Sequence, residues 1–292
     1  MDFTAPTSPI SASVMLSVEL ISIDIESRTL VMDWYARMPA CTPLVVANIY
    51  LDPSYLDHAS SSFSDLKPYP PAYQYNNSDF YYWGIQIDAT FRTISKLEGS
   101  RLPNLAAQRS TTNQFPFDKY TAKFGLYAVN NETGVGMPVN ITHSSGMAPN
   151  FDVSLDWAFT AVYNTSHGPQ PQLQFTLQIT RSRIIQFFMI SISVVCWLLI
   201  LAMGLITATV LVYPLRKFYP KAPLMIVSVA LGLLFVRVNL PGAPHGLGTK
   251  IDTFTILPAV IILGVCTFFL LLVVLRQEVL ASITEEQKPK TV

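Results

Sequence analysis

Hydrophobic and polar positions follow different patterns in the two parts of this chain. Up to Arg183, short runs alternate apolar with polar residues and are separated by Pro, Asn, Ser and Gly. A period of two is typical of strands that bury one face. Beyond Arg183, long uncharged apolar runs replace the alternation. The pattern predicts an N-terminal β domain over residues 1–183 and helices after it.

Eight runs in the first part have the alternating pattern. They cover residues 13–23, 29–38, 44–51, 81–91, 119–129, 136–142, 153–162 and 172–181. Eight strands without a long amphipathic helix indicate an antiparallel β-sandwich. Residues 52–79 are rich in Ser and Pro and lack periodicity, so we expect a loop there.

Three apolar runs in the second part predict membrane-spanning helices at residues 184–212, 222–238 and 254–275. The first and third would extend about 43 Å and 33 Å as helices, enough to cross a bilayer core. The second is short and ends at Arg237, whose guanidinium would have to extend to the interface. We expect a three-helix transmembrane domain over residues 184–276 and a tail over residues 277–292. The predicted fold class is an α+β membrane protein.

Composition agrees with a membrane protein. Charged residues make up 13% of the chain and the mean hydropathy is +0.36, whereas soluble domains have about 25% charged residues. The net charge is zero, so the charge balance does not suggest a nucleic-acid binder. The lipid bilayer is therefore the expected partner, and nucleic acid is not.

Charge and acceptor sequons predict which side of the membrane each part occupies. The loop between the first two runs carries Arg216, Lys217 and Lys221 without an acid, which favours the cytosol. N-glycosylation sequons begin at Asn76, Asn131, Asn140 and Asn164, all in the β domain. We therefore expect an extracytoplasmic N-terminal domain and a cytosolic C-terminus, although Arg181 and Arg183 weigh mildly against this orientation.

Export of the β domain needs a signal that residues 1–22 do not contain, since they lack a basic segment followed by an apolar one. Either the first membrane helix acts as a reverse anchor, or an upstream signal or anchor helix is missing. We favour the second alternative.

Sequence motifs for catalysis are not found. The four histidines lack ligand spacing, and the chain has no G-x-S-x-G, P-loop or H-E-x-x-H. We expect no catalytic residue, no metal site and no cofactor, and hence a non-enzymatic binding or scaffold module whose protein or glycan ligand is unknown. An oligomeric channel-like assembly and a membrane-bound enzyme remain the alternatives.

An aromatic cluster near the end of the predicted loop has two interpretations. It comprises Tyr69, Tyr73, Tyr75, Phe80, Tyr81, Tyr82 and Trp83. These rings either form a stacking platform for a sugar or lipid headgroup, or pack within the sandwich. We favour packing.

Two motifs predict the junction between the β domain and the membrane. The first is Phe115-Pro116-Phe117-Asp118-Lys119-Tyr120, and the second is a Gly- and Pro-rich turn from Arg237 to Gly248, followed by Asp252. We expect the first to dock against the turn, with Asp118 near Arg237 or Arg183. In the alternative, Arg237 pairs with Asp252. The predicted junction residues are Phe115, Pro116, Phe117, Asp118, Tyr120, Arg183, Arg237 and Asp252.

The order of these motifs resembles a membrane protein family of fungi and bacteria known as domain of unknown function 4436. The resemblance rests on F-P-F-D-x-Y, on T-R-S-R before the first span, and on R-x-N-x-P-G-x-P with a following Gly and Asp. It covers residues 17–275 and implies an integral membrane protein with an outer β domain and no established activity. Members of that family usually resemble proteins with an additional N-terminal membrane helix, and this chain differs from them in that respect.

The F-P-x-D motif beside a sandwich that continues into a membrane helix also resembles the junction of pentameric ligand-gated channels. Those channels have four membrane helices, a polar pore-lining helix and cysteines that flank the motif. This sequence has three apolar runs and no such cysteines. The likeness is an analogy that keeps the channel-like alternative open.

Overall fold

A computed structural model describes residues 14–38, 45–76, 81–82, 85–86, 89–98, 112–146, 148–165, 167–213, 222–244 and 248–286. Contacts divide the chain into two compact units. The strand unit contains Met1–Thr112 and Phe117–Ser182, and the helical unit contains Asn113–Pro116 and Arg183–Val292. Predicted features outside the described residues are Cys41, Phe80, Trp83, the basic loop with Arg216, Lys217 and Lys221, His245 and the end of the tail.

Twelve strands lie within the described residues. They are β1 (Val14–Asp24), β2 (Thr29–Arg37), β3 (Val46–Leu51), β4 (Tyr73–Asn76), β5 (Tyr81–Tyr82), β6 (Ile85–Gln86), β7 (Ala89–Lys96), β8 (Lys119–Asn130), β9 (Gly136–Met137), β10 (Val139–Gly146), β11 (Phe151–Thr165) and β12 (Gly168–Arg181). Strand β1 shows why alternation predicts them: alternate residues from Val14 to Leu20 are buried, and those between are half-buried.

The described strands form two main sheets. The first has the order β10-β1-β2-β7, and the second has the order β11-β12-β8-β3-β4, with β9 paired to β8. All neighbours are antiparallel except β1 and β10, whose parallel register begins at Val14 opposite Val139. Strands β5 and β6 pair with each other. The sheets are therefore mostly antiparallel, as predicted, with one parallel pair that was not.

One hydrophobic core joins the two main sheets. The Trp34 ring of β2 lies 6.0 Å from that of Phe124 in β8 and 6.3 Å from that of Phe175 in β12. The indole Nε1 of Trp34 donates a hydrogen bond of 2.8 Å to Thr93 Oγ1, which satisfies its buried polar group. Core side chains from both sheets thus pack face to face in one sandwich.

The helical unit contains α1 (Arg183–Val212), α2 (Ala222–Val238) and α3 (Leu257–Glu286), with a π-helical turn at Asp252–Ile256 before α3. Helix α3 contacts both α1 and α2 and buries Ala259, Leu263 and Leu270 completely. Within the described residues, two helical segments are long and apolar enough to cross a membrane, Arg183–Val212 and Asp252–Leu280.

The strand predictions hold best where a run has one buried face. Residues 81–91 were predicted as one strand, but the described part forms β5, β6 and the beginning of β7. The predicted loop at residues 52–79 contains β4. Three spanning helices were predicted, but only two segments of the described residues are long and apolar enough to cross a membrane, because α2 has 17 residues.

Candidate functional site

The Phe115–Tyr120 motif directs its side chains into different surroundings. A short 3-10 turn at Thr112–Gln114 precedes it, and the Phe115–Pro116 peptide bond is cis. Phe115 and Asp118 are buried, whereas Phe117 is 46% exposed. The two phenylalanines of the motif therefore differ in role, which the sequence did not distinguish.

A buried ion pair forms between the motif and the last residue of β12. Arg181 Nε lies 3.1 Å from both carboxylate oxygens of Asp118. Their side chains are 3% and 0% exposed. The Arg181 guanidinium also lies 4.4 Å from the ring centre of Phe151, where a cation–π contact adds to the pairing. Both charges are balanced inside the strand unit.

Tyr120 lies at the beginning of β8 and is buried beside this pair. Burial raises the pKa of Tyr120 well above its ordinary value, and the negative charge of Asp118 raises it further. The tyrosine therefore stays neutral at physiological pH. Its neutral form suits a buried position next to a carboxylate.

Phe115 belongs to a separate hydrophobic cluster within the helical unit. Its fully buried ring packs with Ile185 and Met189 of α1, with Leu240, and with Ile251 before the π-helical turn. Residue Ala243 of the Gly- and Pro-rich turn also packs against this cluster. Phe115 therefore packs against residues of the turn within the helical unit, and docking of the whole motif against the turn stays a prediction.

A second buried ion pair lies in the helical unit, between Arg237 at the end of α2 and Asp252. Arg237 Nε and Nη2 donate to the two carboxylate oxygens of Asp252, with the Nη2 bond at 2.9 Å. Asp252 Oδ2 also accepts bonds from Thr249 Oγ1 at 2.8 Å, Thr249 N at 3.0 Å and Gly248 N at 3.1 Å. A carboxylate with this many donors is well stabilised in its charged form.

The ion pairs correct part of the junction hypothesis. Asp118 pairs with Arg181 rather than with Arg237 or Arg183. Arg237 pairs with Asp252, which was the alternative. Arg183 begins α1 and is exposed. The physical reason is that Asp118 directly precedes β8 and Arg181 ends β12, and these strands pair with Lys119 opposite Thr180. A buried charge there requires an opposite charge close by.

The four acceptor asparagines differ in accessibility. Asn131 and Asn164 are exposed, and Asn76 is half-buried at the end of β4. Asn140 in β10 is 5% exposed, which leaves little room for a sugar on its amide nitrogen. Asn131 Oδ1 accepts a hydrogen bond of 2.9 Å from Asn48 Nδ2. The Nδ2 atom of Asn131, to which a glycan would be attached, takes no part in that bond.

Two aromatic residues of the 69–83 cluster, Tyr73 and Tyr75, serve packing. Tyr75 is completely buried in the core, and Tyr73 stacks on Phe91 with ring centres 5.4 Å apart. Tyr69 is half-buried and lies outside the core cluster. The packing interpretation therefore holds for Tyr73 and Tyr75, and the side chains of Tyr81 and Tyr82 lie outside the described part.

Metal-binding groups of three or more His, Cys, Asp or Glu do not occur among the described residues. His58 packs against Phe63 at 4.2 Å and His167 against Tyr50 at 4.4 Å, measured between ring centres. Cys196 and Cys266 are buried free thiols in the helical unit. The expected absence of a metal site, a cofactor and a catalytic residue stays a prediction.

Sequence reasoning missed Arg181 and Thr249 as members of the two ion-pair centres. Arg181 is a charge just before the first span, and the alternation of β12 places it on the core face with Ile179 and Leu177. That position was a usable signal, because a core-facing arginine requires a buried partner. Thr249 gave no comparable signal.

Two mostly antiparallel sheets followed by long apolar helices define the class of this protein. A family model described as a domain of unknown function, DUF8687, matches residues 1–179, so the chain belongs to that family. The model of a second domain of unknown function, DUF8686, matches residues 181–277. No curated protein matches the chain.

The resemblance to domain of unknown function 4436 is therefore wrong. It rested on three short motifs and their order around apolar runs. Motifs this short are individually weak evidence for a family. The two family models instead match nearly the whole β part and the whole apolar helical part.

Proposed function

We propose that this chain is a multipass membrane protein whose helical unit anchors the strand unit as a non-enzymatic binding or scaffold domain. The observation that carries the proposal is the outward apolar surface of the helices. In the most apolar stretch of each long segment, only 22% and 28% of the residues are buried. The remaining leucine, isoleucine, valine and phenylalanine side chains require a nonaqueous environment.

Helix α2 is the third span in this proposal. Its 17 residues extend about 25 Å, somewhat less than a bilayer core of about 30 Å. Arg237 lies in the last turn of α2, where its charge is balanced by Asp252. The ion pair supports a short span because it removes an isolated charge from the apolar helix.

The orientation in the proposal rests on the basic loop and the acceptor asparagines. A cytosolic loop with Arg216, Lys217 and Lys221 follows the positive-inside rule. The strand unit then lies outside the cytosol, where Asn131 and Asn164 expose their side chains to the glycosylation machinery. An integral membrane location with an extracytoplasmic N-terminal domain and a cytosolic C-terminus follows.

Extraction at alkaline pH tests the membrane part of the proposal. Membranes from cells that express the full chain are washed with carbonate and separated by centrifugation. We expect the chain in the pellet together with a known integral membrane protein, and in solution only after detergent is added. Release of a monodisperse chain into the detergent-free wash would overturn the proposal.

An oligomeric channel-like assembly is the second candidate, and one observation favours it. A Cβ atom added at Gly204 or at Gly232 meets nothing within 4 Å, so the small-residue pairs Gly204/Ala208 and Ser228/Gly232 are open to another helix. Native mass measurement in detergent distinguishes the candidates. A single ring-sized species supports the assembly, and a monomer contradicts it.

A further inference from the structure

A small cavity of about 180 Å³ lies within the strand unit, beside the segment that joins β3 to β4. Its polar lining includes Ser61, Ser62, Ser64, Tyr69 and Arg92, next to prolines such as Pro70. This volume is below the roughly 300–1,000 Å³ that is typical of pockets for drug-sized ligands. It has room for one small ring with polar substituents.

Hydrogen bonds hold the wall of this cavity in place. Ser62 Oγ donates to the carbonyl oxygen of Arg92 in β7 at 3.0 Å, which ties the segment to the sheet. Ser62 N donates to Ser60 Oγ at 3.1 Å, and Leu66 N donates to Ser64 Oγ at 3.3 Å. A Leu56–Ser95 bridge connects the same segment to β7. The cavity is preformed, which reduces the entropy lost on binding.

The charge of the cavity favours a neutral ligand. Arg92 donates through Nε at 2.6 Å and through Nη2 at 2.8 Å to the two carboxylate oxygens of Asp33. This bidentate pair balances the guanidinium charge, and the remaining lining consists of hydroxyl, aromatic and apolar groups. Arg92 is the charged residue of the lining, and the nearby Lys67 ammonium lies over the Tyr69 ring at 5.9 Å. With the Arg92 charge balanced by Asp33, hydrogen bonding and ring contact decide what binds.

Hydroxyl groups and a flat aromatic surface meet in this lining. Serine hydroxyls both donate and accept, and Tyr69 adds a ring with a polar phenol. A pyranose has the complementary chemistry, because it presents hydroxyls at its edge and C–H groups on its faces. Tyr69 differs from Tyr73 and Tyr75 in lying outside the core cluster, and Lys67 Nζ lies 5.9 Å from its ring centre. A ligand in the cavity would contact Tyr69 through its phenol and the part of the ring that Lys67 does not cover.

We propose that this cavity binds one neutral pyranose ring. The inference rests on the proposed function, since it gives the binding domain a site and a ligand class. It requires no catalysis and no bond changes.

Saturation-transfer NMR and calorimetry on the full chain in lipid nanodiscs test the inference. Nanodiscs avoid maltoside and glucoside detergents, which would compete for the site. The probes are methyl α-mannoside, methyl α-glucoside, methyl β-galactoside and methyl N-acetyl-β-glucosaminide, with inorganic phosphate as the charged probe. We expect at least one glycoside to bind and phosphate not to bind.

Three variants show where the glycoside binds. Tyr69→Ala is expected to weaken binding by at least about tenfold, whereas Tyr69→Phe keeps the ring and most of the affinity. Trp157→Ala, which removes an exposed ring from β11, is the matched control and should bind as the wild type does. Thermal unfolding of each variant checks that the strand unit is folded.

Absence of binding by all four glycosides, or wild-type affinity in Tyr69→Ala, overturns the inference. Equal losses in Tyr69→Ala and Trp157→Ala also overturn it, because they indicate stacking on any exposed ring. Carbonate extraction is independent of sugar binding. A chain that stays in the membrane pellet but binds no glycoside therefore loses this inference and keeps the proposed membrane anchoring.

Discussion

Removing the charge of Asp118 should destabilise the strand unit strongly. In Asp118→Asn, the Arg181 guanidinium stays 3% exposed without a carboxylate to balance it. Breaking a buried pair on one side costs about 3–5 kcal/mol. The retained cation–π contact with Phe151, 4.4 Å away, places the expected loss near the lower limit, at about 3 kcal/mol.

The assay is thermal unfolding of the full chain in detergent, followed by tryptophan fluorescence, to which the buried Trp34 contributes. For a unit of this size, 1 kcal/mol shifts Tm by about 2–4 °C, so we expect a decrease of about 6–12 °C. Asp33→Asn is the matched control. It breaks a pair whose arginine side chain is 59% exposed, so Tm should change little.

A double variant separates the charge effect from a loss of packing. Arg181→Met together with Asp118→Asn removes both charges, and much of the lost stability should return because no unbalanced charge stays buried. The reasoning is refuted if Asp118→Asn unfolds at the same temperature as Asp33→Asn. It is also refuted if the double variant is less stable than Asp118→Asn.

Three further predictions concern single side chains. Phe115→Ala should cost the helical unit about 3–5 kcal/mol, whereas Phe117→Ala should cost far less; equal protease resistance of the two variants would contradict the packing described for Phe115. Asp252→Asn should destabilise the helical unit by leaving Arg237 buried without its counter-charge, and unchanged unfolding in detergent would count against that role. The pKa of Tyr120 is raised in the folded chain, so its stabilising contribution is complete below about pH 10 and declines as the pH rises further. Tm measured from pH 8 to 11 should therefore decrease less steeply in Tyr120→Phe than in the wild type. Parallel profiles of the two proteins would contradict this prediction.

Alternation predicted the strands that bury one face, and β1, β2 and β8 lie within two residues of their predicted bounds. It could not predict which strands pair, because a period of two carries no information about the neighbour. The parallel pairing of β1 with β10 joins segments more than 100 residues apart. Strand β4 was not predicted because it is only four residues long and lies within a Pro-rich segment.

The candidate site was predictable where partners lie close in sequence. Arg237 and Asp252 are 15 residues apart, and their pairing was one of the two alternatives that the sequence left open. Asp118 and Arg181 are 63 residues apart, and only the pairing of β8 with β12 brings their segments together. The sequence also could not predict solvent exposure within the motif, because Phe115 is buried and Phe117 is exposed although both are phenylalanines of the same motif.

Glycosylation mapping tests the central claim, an extracytoplasmic strand unit anchored by the helical unit. The full chain is expressed with microsomes, and its gel mobility is compared before and after treatment with an N-glycan-removing enzyme. Single Asn→Gln variants of Asn131, Asn140 and Asn164 identify the sites, and a sequon on a linker after Val292 reports the other side.

We predict a mobility shift that decreases by one step in Asn131→Gln and by one step in Asn164→Gln. Asn140→Gln should migrate as the wild type does, because Asn140 is 5% exposed. The added C-terminal sequon should stay unmodified. A glycan on the C-terminal sequon, with none on the strand unit, would contradict the claim.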